Sequence, residues 1–125
     1  MKLRLRGNTL RLRLNQSEVR SLSEGGSVES ATSFGPGQTL AYRVVPIGAA
    51  PEASLEGTAI VLRLPTASLR SWAQSDDLTL EHEQKWDGGA LRIALEKDLA
   101  CAHPRSGEDN SDAFPNPATG MSHCG

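Results

Sequence analysis

Five arginines have the residue type and spacing needed to bind an anion. Arg4, Arg6, Arg11 and Arg13 alternate with leucines near the start of the chain, and Arg63 stands fifty positions after Arg13. Alternation of charged and apolar residues puts the charged side chains on one face of a strand. A guanidinium group can bind two oxygens of a phosphate or carboxylate at once. These arginines are therefore the candidate anion-binding residues.

The elements that position the first four arginines are two short strands joined by a tight turn. Gly7-Asn8 separates the alternating segments, and a two-residue turn there would place Arg4 opposite Arg11. Like charges directly opposite each other reduce stability unless something neutralises them. Either acidic strands elsewhere in the chain or a bound anion would do so. The charge distribution allows both: residues 1–50 hold seven Lys/Arg and three Glu, whereas residues 51–125 hold six Lys/Arg and twelve Asp/Glu.

The first half of the chain is similar to the second at a constant offset of fifty residues. Residues 3–28 and 53–78 share seven identities, including Gly7 with Gly57 and Leu12 with Leu62. Such self-similarity indicates a duplicated structural unit. Each unit predicts the order strand, strand, helix, strand, strand. The helices are expected over about residues 16–24, with Asn15 and Glu18 at capping-box spacing, and over about residues 66–74.

Two such units predict an α+β domain with mainly antiparallel pairing. The eight strands would form one sheet or a partly closed barrel, with two short helices on its apolar face. The domain is predicted to span residues 1–98, with repeats at 1–46 and 52–97, and residues 99–125 would form an irregular tail. The predicted core includes alternating apolar residues of the strands, among them Leu5, Leu55, Leu62, Leu78 and Leu91.

The tail offers a candidate partner-binding segment and two Cys/His pairs. Asp109, Asp112 and Phe114 combine acidic charge with one aromatic anchor, which would either bind a protein partner or cover the sheet. Cys101 with His103 and His123 with Cys124 are zinc-ligand types, but their spacing fits no common zinc site. We therefore predict no metal and no cofactor.

Several function classes are disfavoured by composition. No apolar stretch is long enough for a membrane-spanning helix, and two cysteines give no disulfide framework, so a cytoplasmic protein is expected. Aromatic residues make up 4% of the chain, which leaves few rings for base stacking and argues against a nucleic-acid partner. No catalytic group with an orienting partner can be assigned. A binding or interaction module for an anionic small molecule or a protein is predicted, and the alternative is a small enzyme or binder acting on a phosphorylated or anionic ligand across the Arg/Glu face.

Two resemblances bear on these alternatives. The opening MKLRLRGNTLRLRLNQSEV, the FGPGQTLAY turn and the ending EKDLACAHPR…EDNSDAFPNP resemble a family of small bacterial proteins of unknown function. That resemblance implies a bacterial, cytoplasmic protein and assigns no site residue. The duplicated arrangement is also similar to that of triphosphate tunnel enzymes. Their opening glutamates are replaced here by Lys2, Arg4 and Arg6, so the metal-binding carboxylates of that family are missing.

Overall fold

The part of the chain that the structure describes contains eight strands and two helices, and the order strand, strand, helix, strand, strand occurs twice. A computed structural model describes residues 1–99 and 112–114. The elements are, in chain order, β1 (Lys2–Arg6), β2 (Thr9–Leu14), α1 (Gln16–Ser23), β3 (Val28–Gly35), β4 (Gln38–Ile47), β5 (Glu52–Glu56), β6 (Ala59–Pro65), α2 (Thr66–Gln74), β7 (Thr79–Trp86) and β8 (Gly89–Lys97). The predicted α+β class and element order are confirmed.

The strands form two separate sheets of four rather than one sheet of eight. Sheet A has the order β1-β2-β8-β7, and sheet B has the order β3-β4-β6-β5. Antiparallel hairpins are joined at the centre of each sheet by a parallel pair, β2 with β8 and β4 with β6. The prediction of a single, mainly antiparallel sheet or partly closed barrel is therefore wrong, since both sheets are mixed and neither closes.

The physical reason lies in the central strands, because β6 and β8 also bury an apolar residue on their outer faces. Val61 of β6 and Ala94 of β8 are buried although they lie on the face opposite the leucines. Strands buried on both faces are typical of parallel pairing in the middle of a sheet. Each hairpin therefore pairs with a hairpin from the other half of the chain, which a strand-by-strand interpretation does not reveal.

Both helices begin and end close to their predicted bounds. Asn15 caps α1: its side-chain oxygen accepts from the backbone N–H of Glu18 at 2.9 Å, and the Glu18 carboxylate accepts from the Asn15 N–H at 3.0 Å. This reciprocal pair confirms the predicted capping box. Helix α2 follows Pro65, which makes no side-chain capping hydrogen bond. Each helix buries two apolar residues, Val19 and Leu22 in α1 and Leu69 and Trp72 in α2.

One apolar core is shared by both sheets and both helices. Its fully buried members include Leu12 and Leu95 of sheet A, Val44 and Leu62 of sheet B, and Leu69 of α2. Three predicted core residues are exposed instead: Leu5 by 60%, Leu55 by 78% and Leu78 by 42%. Leu5 and Leu55 lie beside a turn on the outermost strands, and no further strand among residues 1–99 and 112–114 covers them. Leu91 is half-buried against the core.

Gln84 of β7 ties the two sheets together at their edges. Its side-chain oxygen accepts from the backbone N–H of Ala53 in β5 at 2.7 Å, and its amide nitrogen donates to the Ala53 carbonyl at 2.9 Å. The side-chain amide thus satisfies both backbone groups of one residue on an edge strand, as the peptide group of a neighbouring strand would.

Candidate functional site

The basic hairpin, formed by β1 and β2, carries four of the five candidate arginines on the outer face of sheet A. Gly7 adopts a positive φ of 55° in the turn, a conformation that glycine reaches without strain. The resulting register places Lys2 opposite Arg13 and Arg4 opposite Arg11, as predicted. The turn is held against β8, because the Asn8 side chain donates to the carbonyl of Ala90 and the Asn8 carbonyl accepts from the backbone N–H of Arg92.

Glu96 of β8 neutralises the inner strand of the basic hairpin. One carboxylate oxygen lies 2.9 Å from Nη1 of Arg11, and the other lies 3.1 Å from Nε of Arg13. On the outer strand, Lys2 pairs with Asp98 at 3.1 Å. These pairs join residues from opposite halves of the chain, which is the internal neutralisation that the sequence left open.

Arg4 and Arg6 are not neutralised in this way. Both side chains are exposed, and no carboxylate of the described residues lies within ion-pair distance of either. Together with Thr9 and Arg11 they line an open hollow of about 230 Å³ on the outer face. The lining supplies guanidinium and hydroxyl donors, which favour an anion.

Arg63 lies on the outer face of sheet B, apart from the other four arginines. Its Nη1 is 2.6 Å from the Glu56 carboxylate and 3.8 Å from that of Glu52. The hydrogen bond from Arg63, and after it the one from the Ser54 hydroxyl, hold the pKa of Glu56 below its ordinary value of 4.5. The same hydrogen bond raises the pKa of Arg63. Arg63 therefore has neighbouring carboxylates that Arg4 and Arg6 lack.

The described part of the tail packs at the other end of the sheets from the basic hairpin's turn. The Asp112 carbonyl accepts from the backbone N–H of Gln16 at 2.9 Å, and Phe114 packs against the core. Nζ of the buried Lys97 lies 5.8 Å from the Phe114 ring centre and 5.4 Å from that of Trp72. Phe114 thus takes part in a cation–π contact inside the domain.

Other predicted tail residues lie outside the described residues, namely Asp109, Cys101, His103, His123 and Cys124. Within residues 1–99 and 112–114, no group of three or more His, Cys, Asp or Glu side chains is arranged to hold a metal ion. No helix in these segments is long and apolar enough to cross a membrane.

An apolar groove at the turn end of the sheets was missed by the sequence analysis. Leu5, Leu55 and Trp86 are exposed and line a groove of about 330 Å³ whose floor includes Leu10 and Ile60. Strands of both sheets contribute to its lining. The available signal was position: Leu5 and Leu55 both stand two residues before a turn glycine, near the ends of their strands.

The chain belongs to DUF7009, a family of unknown function, whose profile matches residues 1–118. No curated protein and no solved structure shows significant similarity to it. The predicted membership of an uncharacterised family is confirmed. These comparisons indicate no catalytic role.

Proposed function

We propose that this member of DUF7009 is a non-catalytic binding module whose basic hairpin holds an anionic partner. The observation that carries the proposal is the contrast among its arginines. Arg11 and Arg13 share Glu96, whereas Arg4 and Arg6 are exposed and have no carboxylate near them in the described part of the chain. Glu96 bonds Arg11 but reaches neither Arg4 nor Arg6, so an anion beside these two arginines would gain charge-assisted hydrogen bonds that the described residues do not supply.

The chemistry of the hollow favours binding over catalysis. Guanidinium groups remain protonated at every physiological pH, so Arg4, Arg6 and Arg11 can fix an anion but cannot accept a proton from one. The arginines point outward from an open sheet, which suits an accessible partner. Phosphate and carboxylate groups both match the planar donor geometry of arginine. A phosphorylated compound and an acidic peptide are therefore two sources of the same chemistry.

The test is a calorimetric titration of the full chain with pyrophosphate and, separately, with a poly-glutamate peptide at low salt. The variant Arg4→Gln/Arg6→Gln should raise the dissociation constant by about tenfold, because two charged hydrogen-bond donors are lost. Arg63→Gln is the control: it removes one arginine from sheet B and should leave binding unchanged. If Arg63→Gln loses half as much binding free energy as the double variant, which removes two charges, only net charge matters and the proposal is refuted.

The structure also bears on the predicted repeat. We infer that the halves descend from one duplicated unit, because exchanging β1–β4 with β5–β8 converts the strand order of sheet A into that of sheet B. The backbone N–H of Arg92 bonds to the Asn8 carbonyl, and that of Ala41 bonds to the carbonyl of Thr58, the residue equivalent to Asn8. Superposition of the halves in an experimental structure would test this inference. The division into a domain at 1–98 and a tail at 99–125 stays a prediction.

A bacterial, cytoplasmic setting is proposed from the sequence resemblance and the low cysteine content. Cell fractionation with an antibody against the chain would test it, and recovery in the membrane or secreted fraction would contradict it.

A further inference from the structure

The two outermost strands of sheet A carry opposite charges on the same face. β1 presents Lys2, Arg4 and Arg6, and β7 presents Glu81 and Glu83 with one cation, Lys85, beyond them at the turn end. The registers place Arg4 in one cross-strand row with Arg11, Ala94 and Glu81, and they place Arg6 in the next row with Thr9, Arg92 and Glu83. The sheet therefore has a basic edge and an acidic edge, separated by two strands.

The two edges run in the same direction. β1 is antiparallel to β2, β7 is antiparallel to β8, and β2 is parallel to β8. Among the described residues, neither β1 nor β7 has a second neighbouring strand. Such edges present backbone N–H and C=O groups that can pair with another chain.

The charges select which edges can meet. Two basic edges would bring arginines together and two acidic edges would bring glutamates together, and both arrangements are unfavourable. A basic edge beside an acidic edge forms cross-strand ion pairs instead. Repulsion in the wrong combinations and attraction in the right one together give specificity.

We propose that the anionic partner of the basic hairpin is the β7 edge of a second copy of this chain. Continuing sheet A without a shift of register places Glu81 of the next copy in the row of Arg4 and Glu83 of the next copy in the row of Arg6. Glu83 pairs with Lys85 of its own strand at 3.3 Å, an exposed contact that leaves the carboxylate accessible. This inference rests on the proposed function, because it names the partner of the same surface.

The assembly is head-to-tail. Each copy uses one basic and one acidic edge, so two copies leave one edge of each kind unused, and further copies add as a filament or a ring. Exposed ion pairs contribute little individually and weaken with salt. Association is therefore weak, dependent on concentration and strongest at low ionic strength.

Sedimentation velocity of the full chain over a concentration series tests the proposal. At about 0.02 M salt the mean mass should rise with concentration, and at about 0.5 M salt, where the Debye length is a few ångströms, it should fall towards that of the monomer. Arg4→Glu/Arg6→Glu and Glu81→Lys/Glu83→Lys should each remain monomeric. A mixture of the two variants should associate again, because each then offers an edge opposite in charge to one on the other.

The mixing experiment also guards against misfolding, since restored association requires folded edges. If either charge-reversed variant still associates on its own, the self-pairing is wrong. It is also wrong if each variant unfolds cooperatively but their mixture stays monomeric. If pyrophosphate binding depends on Arg4 and Arg6 while the wild-type chain is monomeric at every salt concentration, self-pairing is wrong and the anion-binding function stands. If the wild-type chain is monomeric at every salt concentration and pyrophosphate binding does not depend on Arg4 and Arg6, both proposals are refuted.

Discussion

Replacing Glu96 by Gln should destabilise the fold through the basic hairpin. The change keeps the size of the side chain and removes the charge that neutralises Arg11 and Arg13. Glu96 is 14% exposed, Arg13 28% and Arg11 44%. The more exposed Arg11 pair is worth about 0.5 kcal/mol and the more buried Arg13 pair about 1 kcal/mol. The repulsion of Arg4 with Arg11 is no longer offset, so the total loss is about 1–2 kcal/mol.

Urea denaturation followed by tryptophan fluorescence measures this loss, and Glu81→Gln is the matched control. Glu81 lies in the neighbouring row of the same face, and no ion pair connects it to another described residue. Its replacement should change stability by less than about 0.5 kcal/mol. Added pyrophosphate should stabilise Glu96→Gln more than the wild-type protein, because Arg11, which lines the hollow, is released from Glu96. If Glu96→Gln and Glu81→Gln unfold at the same urea concentration, Glu96 does not neutralise the hairpin and the reasoning fails.

Three further changes test other parts of the structure. Leu62→Ala should lower the free energy of unfolding in urea by about 2–5 kcal/mol, because Leu62 is fully buried. Leu55→Ala should lower it by less than about 0.5 kcal/mol, because Leu55 is 78% exposed. Equal losses would mean that the register of β5 or β6 is wrong. Gln84→Glu should cost about 1–3 kcal/mol, because a carboxylate oxygen would face the Ala53 carbonyl in place of a donor, and an unchanged midpoint would exclude the contact between the sheets. The lowered pKa of Glu56 contributes stability above pH 4.5, and this stability is lost as the pH falls through the pKa of the folded state. In Glu56→Gln the free energy of unfolding should therefore depend less on pH in that acidic range. An unchanged pH profile would contradict the contact with Arg63.

Local features of the sequence predicted the helices and strands well, but they did not predict which strands pair over long range. The Asn15 capping box and the Gly7 turn depend on neighbours a few residues away, so the hydrogen-bonding pattern is visible in the residue types. The choice of sheet partner for β2 depends on β8, more than eighty residues later. Val61 and Ala94 were the available clue, since their apolar character on the outer face indicates central strands.

The candidate site was predictable as a set of residues but not as an arrangement. Alternation placed Arg4, Arg6, Arg11 and Arg13 on one face, as the structure has them. It could not show that Arg63 lies on another sheet, because the assignment to sheets follows from the long-range pairing. Nor could it identify the exposed groove, since Leu5 and Leu55 continue the same alternation as residues that are buried.

The pairing of hairpins across the halves sets an order for folding during synthesis. Sheet B contains residues 28–65 and can assemble once β6 has left the ribosome, whereas sheet A joins residue 10 to residue 93 and must wait for β8. The loop between residues 10 and 93 is about two doublings longer than the loop between residues 41 and 59. Closing the longer loop therefore costs about 1.3 kcal/mol more in chain entropy. The β1–β2 hairpin is thus synthesised first but pairs with its sheet only after β8 has been made. Until then its closely spaced arginines keep the hairpin positively charged, which disfavours association with the same hairpin of another chain.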